Sequence, residues 1–207
     1  MNRRTVLAIV LVAALAGAAT AWISMPQHET PPVLEQATLL DAARPLPEFA
    51  LTDNQGRNFG RDSLRGHWTL MFFGFTNCPD LCPTTLAALA DVRRQLKDLP
   101  QGEIPAVTFV SVDPARDTPE ALDRYVAHFD PQFLGVTGPP QAIEVLTRHL
   151  GVAVFIGAAE EDGSYTVDHT AAIFLIDPGA AMKAVFGSPH VAGVIARDYL
   201  SIVAAAR

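Results

Sequence analysis

Apolar and polar positions change their period several times along this 207-residue chain, and each change marks an element. From Thr5 to Met25 the apolar run is continuous, with no charged residue over 21 positions. As a helix it would extend about 31 Å, enough to cross the hydrocarbon core of a bilayer. Pro26 to Pro47 turns to Pro, Glu, Gln and Ala, and reads as an extended tether with little capacity to pack. Phe49 to Phe59 alternates around Asp53-Asn54-Gln55-Gly56, which predicts a hairpin. Trp68 to Phe75 is nearly all apolar, as expected of a central strand covered on both faces. Beyond it, Leu86, Leu89, Ala90 and Leu96 recur with helical spacing and predict a helix starting at Pro83. A strand from Ala106 to Val112, a helix from Thr118 to Phe129, a short strand from Phe133 to Thr137 and a helix from Pro139 to Leu150 follow. Strands Ala171 to Ile176 and Met182 to Phe186 flank the turn Asp177-Pro178-Gly179, and a helix from His190 to Ala206 closes the chain. Strands alternating with helices predict an α/β fold, a mixed central sheet flanked by helices. The expected division is an N-terminal transmembrane anchor or signal over 1–26, a Pro-rich tether over 27–46 and one folded domain over 47–207.

Charge sets the expected orientation. Arg3 and Arg4 precede the apolar run and should stay cytoplasmic, sending the remainder outward. The competing reading is a cleaved signal peptide, since Ala16-Gly17-Ala18 and Ala19-Thr20-Ala21 satisfy the small-x-small rule. A retained anchor is favoured because the run exceeds the usual signal core. Without Arg3 and Arg4, 13 basic residues face 22 acidic ones, a formal charge of −9, so nucleic acid is not an expected partner.

The chemistry concentrates where the central strand ends. Cys78 and Cys82 are the only cysteines, with three residues between them, and each is followed by proline. The residue before proline is biased away from helical angles, so neither thiol is expected inside a helix. Pro83 suits a first helical position, which makes Cys82 the expected N-cap and Cys78 part of the loop leading to it. Unpaired N–H groups and the dipole at that end favour a thiolate, the form that binds metal or attacks disulfides. A structural disulfide is the plain alternative, but it would close a loop of only three residues and remove little unfolded-state entropy. Of six histidines, His169 stands out, next to Asp168 and ahead of a predicted strand. A nearby carboxylate can orient a ligating imidazole, although an isolated histidine is more often structural. His28, His67, His128, His149 and His190 are taken as ordinary tether, loop or helix residues. Asp113, Arg116 and Asp117 read as turn and capping residues that support the neighbouring elements, and Asp80 as a turn-favouring aspartate.

Three blocks, GFTNCPDLCP from Gly74 to Pro83, VDPARDTP from Val112 to Pro119 and YTVDHTAAIFLIDP from Tyr165 to Pro178, together resemble the Sco/SenC family of membrane-anchored copper proteins. The resemblance covers about residues 45 to 207. It implies a thioredoxin-like fold, copper bound by Cys78, Cys82 and His169, and a role in assembling the CuA centre of cytochrome c oxidase. The implied partners are the oxidase subunit carrying that centre and other copper carriers or thiol reductases. The implied location is the inner membrane, single-pass, with the folded domain on the periplasmic side. Two thiolates and one imidazole form a soft set that suits Cu(I) while leaving Cu(II) feasible. Zinc would accept the same donors, but a structural zinc site wants a fourth protein ligand. The second reading is a thiol:disulfide oxidoreductase that uses Cys78 and Cys82 as a redox-active disulfide to keep the oxidase copper-site cysteines reduced. Against it, the spacing is not the usual two residues, and His169-Thr170 lacks the proline that thioredoxins place before the later strand. A peroxidase is disfavoured because Thr76 lies two residues before Cys78, not three.

Overall fold

The computed structural model describes residue 2 and residues 33–160 and 164–206. The predicted anchor over 1–26 lies outside the described residues, apart from Asn2. Among the described residues no helix is long and apolar enough to cross a membrane.

The architecture is built on β4 (Thr69–Gly74), which is buried at every position. Its side chains alternate between two cores, as the pleat of a strand requires. Leu70 and Phe72 pack with Leu86 and Leu89 of α1 (Leu81–Gln95) and with Ile195 and Tyr199 of α4 (Ala192–Ala205). Met71 and Phe73 enter the opposite core with Ile143 and Leu146 of α3 (Pro140–Leu150). Removing a phenylalanine such as Phe72 from water contributes about 1.5–3 kcal/mol, so this strand anchors both layers.

Around β4 the eight-stranded sheet runs β1-β10-β9-β4-β5-β6-β2-β3. These are β1 (Ala37–Pro45), β10 (Ala181–Gly187), β9 (Ala172–Ile176), β5 (Ala106–Ser111), β6 (Leu134–Thr137), β2 (Ala50–Asp53) and β3 (Asn58–Gly60). β4, β5 and β6 are parallel and the remaining pairs antiparallel, so the predicted mixed sheet flanked by helices is present. Helix α2 (Pro119–Ala127) starts at Thr118, whose Oγ1 accepts from the Ala121 N–H at 3.3 Å, with Pro119 in the first turn. Helix α3 stops at Gly151, whose φ of 77° is the left-handed conformation that ends helices.

Three expectations are corrected. Part of the expected tether is folded, since Ala37–Pro45 is β1, antiparallel to β10 on the sheet edge. Its entry is pinned by buried Asp198 on α4, whose carboxylate accepts from the N–H groups of Glu35, Gln36 and Ala37 at 3.0, 2.8 and 2.8 Å. Secondly, Cys82 lies inside the first turn of α1, where Asp80 holds the N-cap position. Pro83 is tolerated there because the first four N–H groups of a helix have no partner within it. Thirdly, His169 does not merely precede a strand. It ends β8 (Val167–His169), which pairs with β7 (Val154–Ile156) in a separate two-stranded sheet.

Candidate metal centre

The β4–α1 connection carries the thiols. A backbone bond from the Cys78 N–H to the Phe75 carbonyl at 3.2 Å turns the chain at the strand end, and α1 begins three residues later. The Cys78 sulfur accepts from the Cys82 N–H at 3.3 Å, satisfying one of the free donors of the helix start. Cys78 thus receives the helix-end N–H that the sequence reading assigned to the neighbourhood of Cys82. It is half-buried, whereas Cys82 is fully buried, and both are free thiols.

His169 approaches from β8. Its Nε2 lies 3.6 Å from the Cys82 Sγ, and its Nδ1 is 3.2 Å from the Thr170 carbonyl. A proton on Nδ1 donated to that carbonyl leaves the Nε2 lone pair facing the sulfurs. The orienting partner is therefore a backbone carbonyl. Asp168, the carboxylate considered from sequence, is exposed and pairs across the ribbon with Phe155. Phe72 and Phe75 meet the imidazole edge-on, at centroid distances of 6.0 and 5.9 Å.

Among the described residues, Cys78, Cys82 and His169 are the one group whose donor atoms gather for a metal ion, all within 4.8 Å of one another. Metal–sulfur and metal–nitrogen bonds of about 2.3 and 2.0 Å place two donors on one ion roughly 3.5–4 Å apart, so the arrangement is nearly closed for a metal. A cleft of about 290 Å³ opens beside it, lined by Phe75, Cys78, Asp80, Asp168 and His169 among others. Burial pushes the Cys82 thiol well above its ordinary range, against a backbone hydrogen bond with Phe75 that favours the thiolate. The expected helix-end activation of Cys82 is thus overridden by desolvation, and a metal cation is the group that reverses this. Burial also lowers the His169 pKa, which keeps the imidazole neutral and available as a ligand, while the Thr170 carbonyl and the Asp168 charge act the other way.

The SCO1/SenC family pattern matches residues 37–204. This chain belongs to the SCO1/SenC family. It is 40% identical over 172 residues to the SCO2 homolog of Bos taurus mitochondria, covering 81% of this chain and 65% of the bovine protein. Its fold is similar to Arabidopsis thaliana ScoI with copper bound, at a TM-score of 0.72 and 31% identity, over 77% of this chain and 98% of that one. It is also similar to Bradyrhizobium japonicum ScoI with copper bound, at a TM-score of 0.67 and 36% identity, over 75% and 98% of the two chains.

In this SCO1/SenC protein the residues around the thiols form a network that sequence reading treated only as turns and caps. Asp117, buried, accepts from the Thr76 N–H at 3.1 Å, the Thr76 hydroxyl at 2.6 Å and the Ser111 hydroxyl at 2.6 Å. Asp113, also buried, pairs with Arg116 and accepts from the Tyr165 hydroxyl at 2.7 Å. The Arg116 guanidinium lies 3.8 Å from the Tyr165 ring centroid. Of the histidines set aside, His190 comes near the site: its Nδ1 is 2.9 Å from the Thr85 hydroxyl, and its ring meets the Phe72 edge at 6.1 Å. Among the described residues His67, His128 and His149 belong to no group of three potential ligands, and His28 lies outside the described residues. A larger apolar cavity of about 610 Å³, against Ile143, Val154 and Tyr165, holds none of the three donors.

Proposed function

We propose that this protein is a membrane-tethered, periplasmic copper chaperone that holds copper through Cys78, Cys82 and His169 and delivers it to the CuA centre of cytochrome c oxidase. The observation that carries the reading is the convergence of two sulfurs and one imidazole nitrogen within 4.8 Å, beside a cleft lined by Cys78 and His169. Two thiolates and an imidazole match Cu(I) in softness, and three donors leave a coordination position through which a partner's ligand can enter and take the ion. Copper here is cargo, so an incompletely enclosed site is functional. Family membership and copper-bound neighbours at 31% and 36% identity support the choice of metal. The uncharged run from Thr5 to Met25, behind Arg3 and Arg4, supports the tether and its orientation.

The same two free thiols support the second reading, a thiol:disulfide exchange with the cysteines of a partner's copper site. A sulfur accepting a helix-end N–H, as Cys78 does, suits such exchange. The two readings separate at His169, which chaperoning needs and dithiol exchange does not. Reduced protein is expected to bind one Cu(I) in competition with a chromophoric chelator, and His169→Ala to weaken binding at least tenfold and abolish CuA assembly in cells. Full CuA assembly by His169→Ala, with Cys78 and Cys82 intact, would establish the dithiol reading instead.

A further inference from the structure

We propose that the turn Asp113–Asp117 is a positioning brace for the metal centre, with Asp117 as its principal residue. The inference rests on the copper reading of Cys78, Cys82 and His169 and assigns a role to side chains that touch none of the donors. The three donors come from two separate pieces of chain, the β4–α1 junction with the first turn of α1, and the end of β8. The turn after β5 reaches both. On the thiol side, Asp117 receives the backbone N–H and the hydroxyl of Thr76, two residues before Cys78. On the imidazole side, Asp113 receives the Tyr165 hydroxyl and Arg116 lies across the Tyr165 ring, four residues before His169.

The turn is itself held. The Asp117 and Arg116 N–H groups donate to the Asp113 carbonyl at 3.0 and 3.1 Å, and Ser111 bridges by accepting from the Asp113 N–H and donating to Asp117. Burying two carboxylates at 1% exposure is costly unless each is fully hydrogen-bonded, and here the compensating donors include Thr76 and Tyr165 from the two donor-bearing segments. Capping of α2 falls to the neighbouring Thr118, so it does not account for Asp117 turning inward. The geometry gives that carboxylate one further effect, the orientation of the loop that presents Cys78.

The test uses the purified full chain, reduced. Asp117→Asn is expected to weaken Cu(I) binding at least tenfold and to change the copper hyperfine coupling of the Cu(II) form. In the metal-free protein, amide hydrogen exchange at Thr76 and Cys78 should rise tenfold or more, with β5 and the body of α1 unchanged. Thr76→Ala should act in the same direction and less strongly, and Thr76→Ala combined with Asp117→Asn should be no worse than Asp117→Asn alone, because both remove one linkage. Copper affinity within twofold of wild type together with unchanged exchange at Thr76 overturns the brace, and so does a uniform rise in exchange across β5 and α1. Wild-type protein that binds no copper would end the copper reading, and the metal-free exchange pattern would then decide the brace by itself.

Discussion

At the scale of single residues, the tightest constraint on the site falls on Gly74, the last residue of β4. A Cβ built there would lie 2.6 Å from the Cys82 sulfur and 2.6 Å from Cε2 of Phe109, closer than real Cβ contacts come. Neither neighbour can yield freely, since Cys82 is fixed in the first turn of α1 and Phe109 is in the core. Gly74→Ala is therefore expected to cost about 1–3 kcal/mol by overpacking, checked by denaturant unfolding, and to displace the Cys82 sulfur. Cu(I) affinity should fall about tenfold, measured by chelator competition, with both thiols still titratable. The three donors were legible in the sequence because cysteine spacing and the matched blocks carry them. Gly74 reads from sequence as part of an apolar run, Asp117 as a turn and capping residue and Tyr165 as the start of a matched block, because their work is done across the fold and leaves no periodic trace in the chain.

At the scale of elements, β1 shows how one buried carboxylate incorporates a segment whose composition reads as tether. Its sequence, ATLLDAARP, neither alternates strictly nor forms an apolar run, so no local pattern announces a strand. Its place comes from β10, which offers an open edge, and from Asp198, which gathers the three N–H groups at its start. Asp198→Asn turns an amide donor toward donors and is expected to destabilise the protein by about 1–3 kcal/mol, lowering Tm by roughly 3–10 °C in a thermal melt. Exchange of β1 amides should rise while those of β4 stay protected, because an unpaired edge frays without opening the two cores. The central strand and the helices were legible for the complementary reason. β4 is buried on both faces and α3 presents one apolar stripe, so each records its environment in its own sequence. The β7–β8 ribbon has three residues per strand, with Val154, Phe155 and Ile156 all exposed, and is too short to carry such a record.

At the scale of the whole molecule, copper would tie together parts of the chain that in the metal-free fold meet through the turn after β5 and through the packing of Phe72 and Phe75 on the His169 ring. Cys78 and Cys82 belong to the β4–α1 junction and His169 to the separate β7–β8 ribbon, so an ion held by all three bridges the main sheet to the small one. An unfolded chain cannot present the same set, because His169 lies far along the sequence from both thiols. A ligand that binds only the folded state stabilises it by RT ln(1 + [L]/Kd), about 2.7 kcal/mol at a hundredfold excess over Kd. For a domain of this size, that corresponds to a Tm increase of roughly 5–11 °C. Cys78 and Cys82 stay close in the unfolded chain and keep part of the copper affinity there, so the reduced wild-type chain loaded with Cu(I) should show a shift up to this size and lose it when a chelator removes the metal. Cys82→Ser should abolish most of it, and His169→Ala should leave a smaller remainder from the two thiols alone. The dithiol reading gives a different melt: oxidation of Cys78 and Cys82 closes a loop of three residues and has little effect on the unfolded ensemble. A Tm that ignores Cu(I) at a hundredfold excess over any measured Kd would therefore remove the bridge between the two sheets, and with it the case for His169 as the third ligand.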